Sequence, residues 1–205
     1  MARAERAVIA GSWEAAADNY ARAAAYAEGL LDPPANDGGY TRVVFDYGAS
    51  RLLAGDLAER GRVCDRLLEA EPPSAEKGPP SDNLFAAVRL SILAPRNAVA
   101  WPVVERACHW DCWWINDVAT LIDYRGAKFQ EAFEHWRTTG LDRFSMAMAY
   151  HQLGRVAEAR ASYARGAQWH ERSMNIARIR GDFDDARDLL CGEVLRREAE
   201  RLIFK

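Results

Sequence analysis

The stretch Cys108-His-Trp-Asp-Cys112 brings two thiols, an imidazole and a carboxylate into five consecutive residues. Thiolates and imidazoles bind zinc, and on a helix Cys108 and Cys112 would share a face. A structural zinc site wants a second pair at short spacing, and the remaining cysteines, Cys64 and Cys191, stand alone. The thiols therefore read as free, with no metal expected. His109 beside Cys108 and Asp111 could form a Cys/His nucleophile pair, but neighbours on one helix point in different directions. His135, His151 and His170 fall in separate segments, and no Gly-x-Ser-x-Gly elbow occurs. Arg180-Gly-Asp182 spells an integrin-binding tripeptide, yet it falls where a helix-joining turn is expected. The chain reads as non-enzymatic, with no catalytic residue, cofactor or metal site.

Composition narrows the classes further. At 205 residues one extended domain with a sizeable core is expected. The net charge of −3 comes with no basic stripe, which argues against nucleic acid as a partner. No apolar run approaches the ~20 residues that span a bilayer, so no membrane association is expected. Met1-Ala-Arg-Ala-Glu-Arg6 lacks the apolar core of a signal peptide, and a cytoplasmic protein is expected.

The elements that must position any site come from one recurring spacing. Between Tyr150 and Gly166 a helical stripe breaks at Gly154, and a second begins with Val156, Ala159, Tyr163 and Gly166. Gly11, Trp13, Ala16, Tyr20 and Ala23 repeat it, as do Gly55, Leu57, Arg60, Cys64 and Leu67. Gly181, Phe183, Ala186 and Leu190 repeat it more faintly. Near Phe129, Ala132 and Trp136 the spacing persists, but Ala127 takes the glycine position and Gly126 sits one place early. Each such unit is two helices joined by a glycine turn, and no β signal competes.

Breakers set the boundaries. Leu31-Asp-Pro-Pro-Ala-Asn-Asp-Gly-Gly39 and the proline-rich stretch Glu71 to Asp82 are loops. Ala94-Pro95 ends a helix begun near Leu84, and Pro102 opens another that runs to about Trp110. The reading is a single array over 1–205, with repeats at about 2–30, 41–72, 82–111, 113–139 and 142–170, and a weak sixth with a capping helix over 171–203. That sixth unit pairs a helix over Glu171–Arg180 with one from Phe183 to about Leu202. Glu193 to Arg201 reads as a solvating cap on the last apolar face. The shortness of the first helix raises the expectation that the array extends N-terminally. Alanines at Ala16, Ala23, Ala147 and Ala159 let helix axes approach to roughly 8–10 Å, and Trp13, Tyr20, Tyr150 and Tyr163 fill the holes between them.

These residues resemble the tetratricopeptide repeat family over most of the chain outside the two proline-rich loops. Gly11-Ser-Trp-Glu-Ala-Ala-Ala-Asp18, Leu53-Ala-Gly-Asp-Leu57, Phe129-Gln-Glu-Ala132 and Arg197-Glu-Ala-Glu-Arg201 are similar to a bacterial lineage of such arrays. That lineage resembles the C-terminal tails of planctomycete serine/threonine kinases and WD-repeat proteins. The resemblance implies an all-α, right-handed superhelix of antiparallel hairpins, five to six repeats long, that acts as a non-catalytic protein–protein interaction scaffold. The alternative is a regulatory tail that packs on a serine/threonine kinase, another signalling protein or a WD-repeat partner. No kinase part is present, since Gly181-Asp-Phe-Asp184 only scrambles the letters of a kinase metal-binding loop. The sequence departs from the family pattern at Ala127, at Arg60 in a normally small position, and at Pro95 where a turn should be.

The resemblance also implies a concave groove lined by the first helix of each unit. Its expected partner-binding residues are Arg42 and Phe45 in unit two and Phe85 and Arg89 in unit three. Unit four supplies Trp113, Asn116 and Thr120, and unit five Phe144, Met148 and His151. A groove that mixes aromatic and polar groups suits an extended peptide or a helix.

Overall fold

Among the described residues the backbone reverses four times through the same turn. Gly11, Gly55, Ala127 and Gly154 all have φ between 61° and 87°, the left-handed region that only glycine enters without cost. At each turn the left-handed residue donates its N–H three residues back: Gly11 to Val8, Gly55 to Leu52, Ala127 to Tyr124 and Gly154 to His151. The following residue donates five back: Ser12 to Ala7, Asp56 to Arg51, Lys128 to Asp123 and Arg155 to Tyr150. This is the Schellman closure of a helix. That same following residue then opens the next helix, because its carbonyl accepts from Ala16, Arg60, Ala132 or Ala159. One residue thus ends one helix and begins its partner, which makes each pair a tight hairpin.

The computed structural model describes residues 2–30, 38–69, 81–95, 101, 104, 113–139, 143–180 and 186–205. Side chains are described for these except at 2, 27–30, 38, 113–118, 135–139 and 186–187. Among the described residues there are ten helices and no strand, a repeat-like all-helical protein. The chain divides into two compact units, Met1–Trp110 and Asp111–Lys205.

The first unit holds α1 (Ala2–Ile9), α2 (Trp13–Leu30), α3 (Gly38–Leu53), α4 (Leu57–Glu69) and α5 (Asp82–Leu93). Each helix packs on the next, and α3 also packs on α5. Ser81 caps α5 by accepting the Leu84 N–H at 3.2 Å. Ala94 closes that helix in an extended conformation (φ −69°, ψ 158°), as a residue before proline must. At Gly48 a Cβ would collide with Leu90 and come within 3.0 Å of Val63 Cγ1, so glycine lets α3 meet α4 and α5 together. Arg60 fills its normally small position by folding along its own helix, with Nη1 3.9 Å from Cys64 Sγ.

The second unit holds α6 (Trp113–Arg125), α7 (Phe129–Thr139), α8 (Arg143–Gln152), α9 (Val156–Arg180) and α10 (Ala186–Ile203). Consecutive helices pack, and α8 also packs on both α6 and α10. Within this unit α6, α8 and α10 therefore form a row, with α7 and α9 as their hairpin partners. Ala147 and Ala159 are buried as expected, as are Ala16 and Tyr20 in the first unit. Ala23 is half-buried, and its neighbour Ala24 occupies the core.

Two sequence expectations are corrected here. Glu171–Arg180 is not a separate helix; it continues α9 without interruption. Neither glycine nor proline follows His170 before Gly181, so nothing ends the helix there. The sixth unit therefore reduces to α10 alone, in the place of a first helix against α8 and α9. Glu193 is not part of a solvated cap either: it is buried and ion-paired. The helix expected from Pro102 to Trp110, the Cys108–Cys112 stretch and the turn at Gly181 lie outside the described residues, apart from the helical and buried Val104.

Candidate functional site

In the first unit, Thr41 Oγ1 donates to Asn83 Oδ1 at 2.5 Å, in a buried contact between the first turns of α3 and α5. One turn further on, the Arg89 guanidinium carbon lies 5.7 Å from the Phe45 ring centre and 5.4 Å from that of Phe85. Residues near the start of α3 thus meet residues near the start of α5, and later residues meet later ones, so the two helices run in the same direction. α4 makes this possible by carrying the chain back between them.

The resulting face has a graded burial. Phe45 is buried beneath it, whereas Phe85, Arg89 and Arg42 are half-buried. A guanidinium held against two aromatic rings has lost much of its rotational freedom, and such cation–π contacts contribute about 0.5–2 kcal/mol each. The Arg42 Nε lies 4.0 Å from Asp46 Oδ2 one turn along α3, and that carboxylate is buried. Burial, followed by the nearby charges of Asp46 and Glu5, pushes the buried Tyr20 phenol well above its ordinary range, against the smaller opposing pull of Arg42. Tyr20 therefore stays a neutral phenol at the edge of this cluster.

Of the four first-unit residues expected in the groove, Phe85 and Arg89 meet at the half-buried face, Phe45 is buried beneath them and so does not itself line a groove, and Arg42 lies on α3 beside Asp46. The second unit differs. Phe144 and Met148, expected to line a groove, are buried, which corrects their assignment. Phe144 packs inward because Gly166 on α9 leaves room for its ring; a Cβ there would sit 3.0 Å from Phe144 Cε1. Its ring centre lies 5.8 Å from that of Tyr163 and 6.3 Å from that of His170. Thr120 is buried as well, and His151 is half-buried. Trp113 and Asn116 lie on α6, and their side chains are outside those described.

A second polar cluster, absent from the sequence expectations, joins α9 to α10. Glu193 accepts from Arg196 at 2.8 and 3.0 Å and from Arg197 at 2.8 Å, and its Oε2 lies 3.3 Å from His170 Nε2. Burial would raise the Glu193 carboxyl, but the hydrogen bonds from His170, Arg196 and Arg197 outweigh it and hold the group well below the usual carboxylate range. Gly192 fits the same joint closely, since a Cβ there would lie 2.9 Å from His170 Nδ1. The only advance signal was the run of arginine and glutamate in the final helix, which by itself looks like a solvated surface.

Burial pushes the Cys64 thiol up, against the opposing influence of Arg60. Among the described residues no cluster of three histidine, cysteine, aspartate or glutamate side chains is arranged to hold a metal ion. No helix among them is long and apolar enough to cross a membrane. The arrangement defines a repeat-like helical protein whose first unit presents a stacked arginine on a half-buried aromatic face. Comparison with protein-family models, with curated proteins and with solved structures gives no match to this chain.

Proposed function

We propose that the chain is a non-catalytic interaction scaffold of the tetratricopeptide type, and that its first unit binds a peptide segment of a protein partner across the face shared by α3 and α5. The observation that carries this reading is Arg89 lying over both Phe45 and Phe85. A stacked guanidinium is pre-organised, so a partner's carboxylate or carbonyl engages it at little further cost in side-chain entropy. Four copies of one hairpin turn support a repeat array, since each hairpin needs a neighbour to cover its remaining apolar side.

Selection of extended peptides displayed on phage against the full chain tests the reading. Peptides so selected are expected to lose tenfold or more in affinity, about 1.4 kcal/mol, on Arg89→Glu and on Phe85→Ala. Far-UV circular dichroism of both variants should stay unchanged, because both side chains are half-buried on a helix face. Equal binding by the original chain and the Arg89→Glu variant would refute the assignment. Phe144→Ala is unsuitable as a probe because it empties the core.

A further inference from the structure

The long helix α9 exposes a seam of its own. Arg165, Trp169, Arg172, Ile176, Ile179 and Arg180 recur at helical spacing and share one side of it. Trp169 is 47% exposed, Ile176 44% and Ile179 84%, unusual values for large apolar side chains that lie together. A neighbouring side of α9, roughly 100° round the helix, carries buried Gly166, His170 and Ala177, which serve the core of the second unit. The seam is therefore additional to the face that folds the protein.

Its charge is one-sided. Arg165, Arg172 and Arg180 are exposed, and none forms an ion pair among the described residues. Among the residues of α9 itself, the nearest carboxylate on that side is Glu158, two turns earlier and already paired with Arg155 at 3.0 Å. Glu171, also exposed, projects from a different side of the helix. Arg178 is likewise off the seam, where it bonds Asn175 at 3.0 Å.

We propose that this seam docks an acidic amphipathic helix of a partner protein, its apolar residues interlocked with Trp169, Ile176 and Ile179 and its carboxylates on the three arginines. The order Trp169, Arg172, Ile176, Ile179 alternates steps of three and four, the seam spacing of one helix packed along another. A second copy of the chain is a poor occupant, because two such seams bring arginines together and supply no carboxylate. A bilayer is also poor: Arg172 stands in the middle of the seam, and burying Trp169 and Ile176 in acyl chains would drag its charge in with them. A helix with carboxylates beside its apolar positions answers both requirements. The proposal is independent of the α3–α5 face.

The test uses a yeast-displayed library of helices about three heptads long, with apolar a and d positions and Glu, Lys or Gln at e and g. The probe is the full chain, alongside its Arg172→Glu and Ile176→Ser variants; both positions are exposed, and circular dichroism checks their folding. Helices acidic at e and g should be enriched on the original chain. Their binding should weaken with added salt, fall about tenfold or more on each variant, and be unchanged on Arg89→Glu. Helices with Lys at e and g should gain binding to Arg172→Glu. No enrichment, enrichment of neutral or basic helices, or full binding by the variants overturns the proposal. So does sedimentation of the chain with phosphatidylserine vesicles, or a dimer, that Ile176→Ser abolishes while no helix is selected.

Discussion

Arg125 and Glu198 form a two-pronged ion pair, Nη1 to Oε1 at 2.5 Å and Nη2 to Oε2 at 2.6 Å, between residues 73 apart in the chain. Arg125 ends α6 and is only 1% exposed, while Glu198 lies on α10 with its side chain 28% exposed. Since α8 packs on both helices, the pair joins the first and third members of its row. A planar fork matched to a carboxylate also fixes orientation.

Glu198→Ala should consequently destabilise the protein by about 2–3 kcal/mol. That is somewhat less than the ~3–5 typical of a fully buried pair, because water still reaches the glutamate. Replacing both partners, Arg125→Met with Glu198→Gln, should cost far less, since no buried charge is then left alone. Urea denaturation of the two variants checks this. If Glu198→Ala shifts the midpoint no more than a surface substitution does, the pair has no structural weight.

The four hairpin turns supply a second expectation, at Ala127. Its φ of 61° places a Cβ where a left-handed backbone disfavours one, at roughly 1–2 kcal/mol. Ala127→Gly should recover about 1 kcal/mol, and Gly154→Ala should lose a similar amount. Nothing lies within 4 Å of a Cβ built at Gly154, so the change there reports backbone conformation rather than crowding. Thermal melts that move in opposite directions for the two variants are the expected result. A lower melting temperature for Ala127→Gly contradicts the account.

Stability should fall at both ends of the pH range, for different reasons in the two units. Glu193 in the folded chain titrates below its ordinary value of 4.5, burial being outweighed by its hydrogen bonds. Its contribution is thus complete above about pH 4.5 and is lost progressively as the pH falls below it. Tyr20 titrates above its ordinary 10.0, chiefly through burial, so its contribution is complete below about pH 10 and declines above it. Urea midpoints measured across that span should show a shallower acid limb for Glu193→Gln and a shallower alkaline limb for Tyr20→Phe. Limbs of unchanged slope in these variants would assign the loss to other groups.

The residues that spoke in advance were those whose effect is local. Gly11, Gly55 and Gly154 mark left-handed turns because no other residue enters that backbone region without cost; that Ala127 takes the same place was legible from the spacing, but its positive φ is known only from the structure. Pro95 ended α5 by sterics alone, and the repeat expected to begin at 113 does open with a helix at Trp113. The expected end of α9 at about His170 rested on a fading of the repeat pattern and not on any residue that stops a helix, and the helix runs on to Arg180.

Which side of each helix faces inward was decided elsewhere. Phe85 and Phe144 occupy similar places in their helices and look alike in sequence, yet one underlies Arg89 at a half-buried face and the other is sealed beneath Gly166. Spacing along a helix sets which residues share a side, but not what arrives to cover it. Arg89 over Phe45, Arg125 on Glu198 and His170 beside Glu193 all join separate helices. Such contacts exist only once the hairpins have packed, because the free energy that selects them comes from long-range burial and pairing of charge.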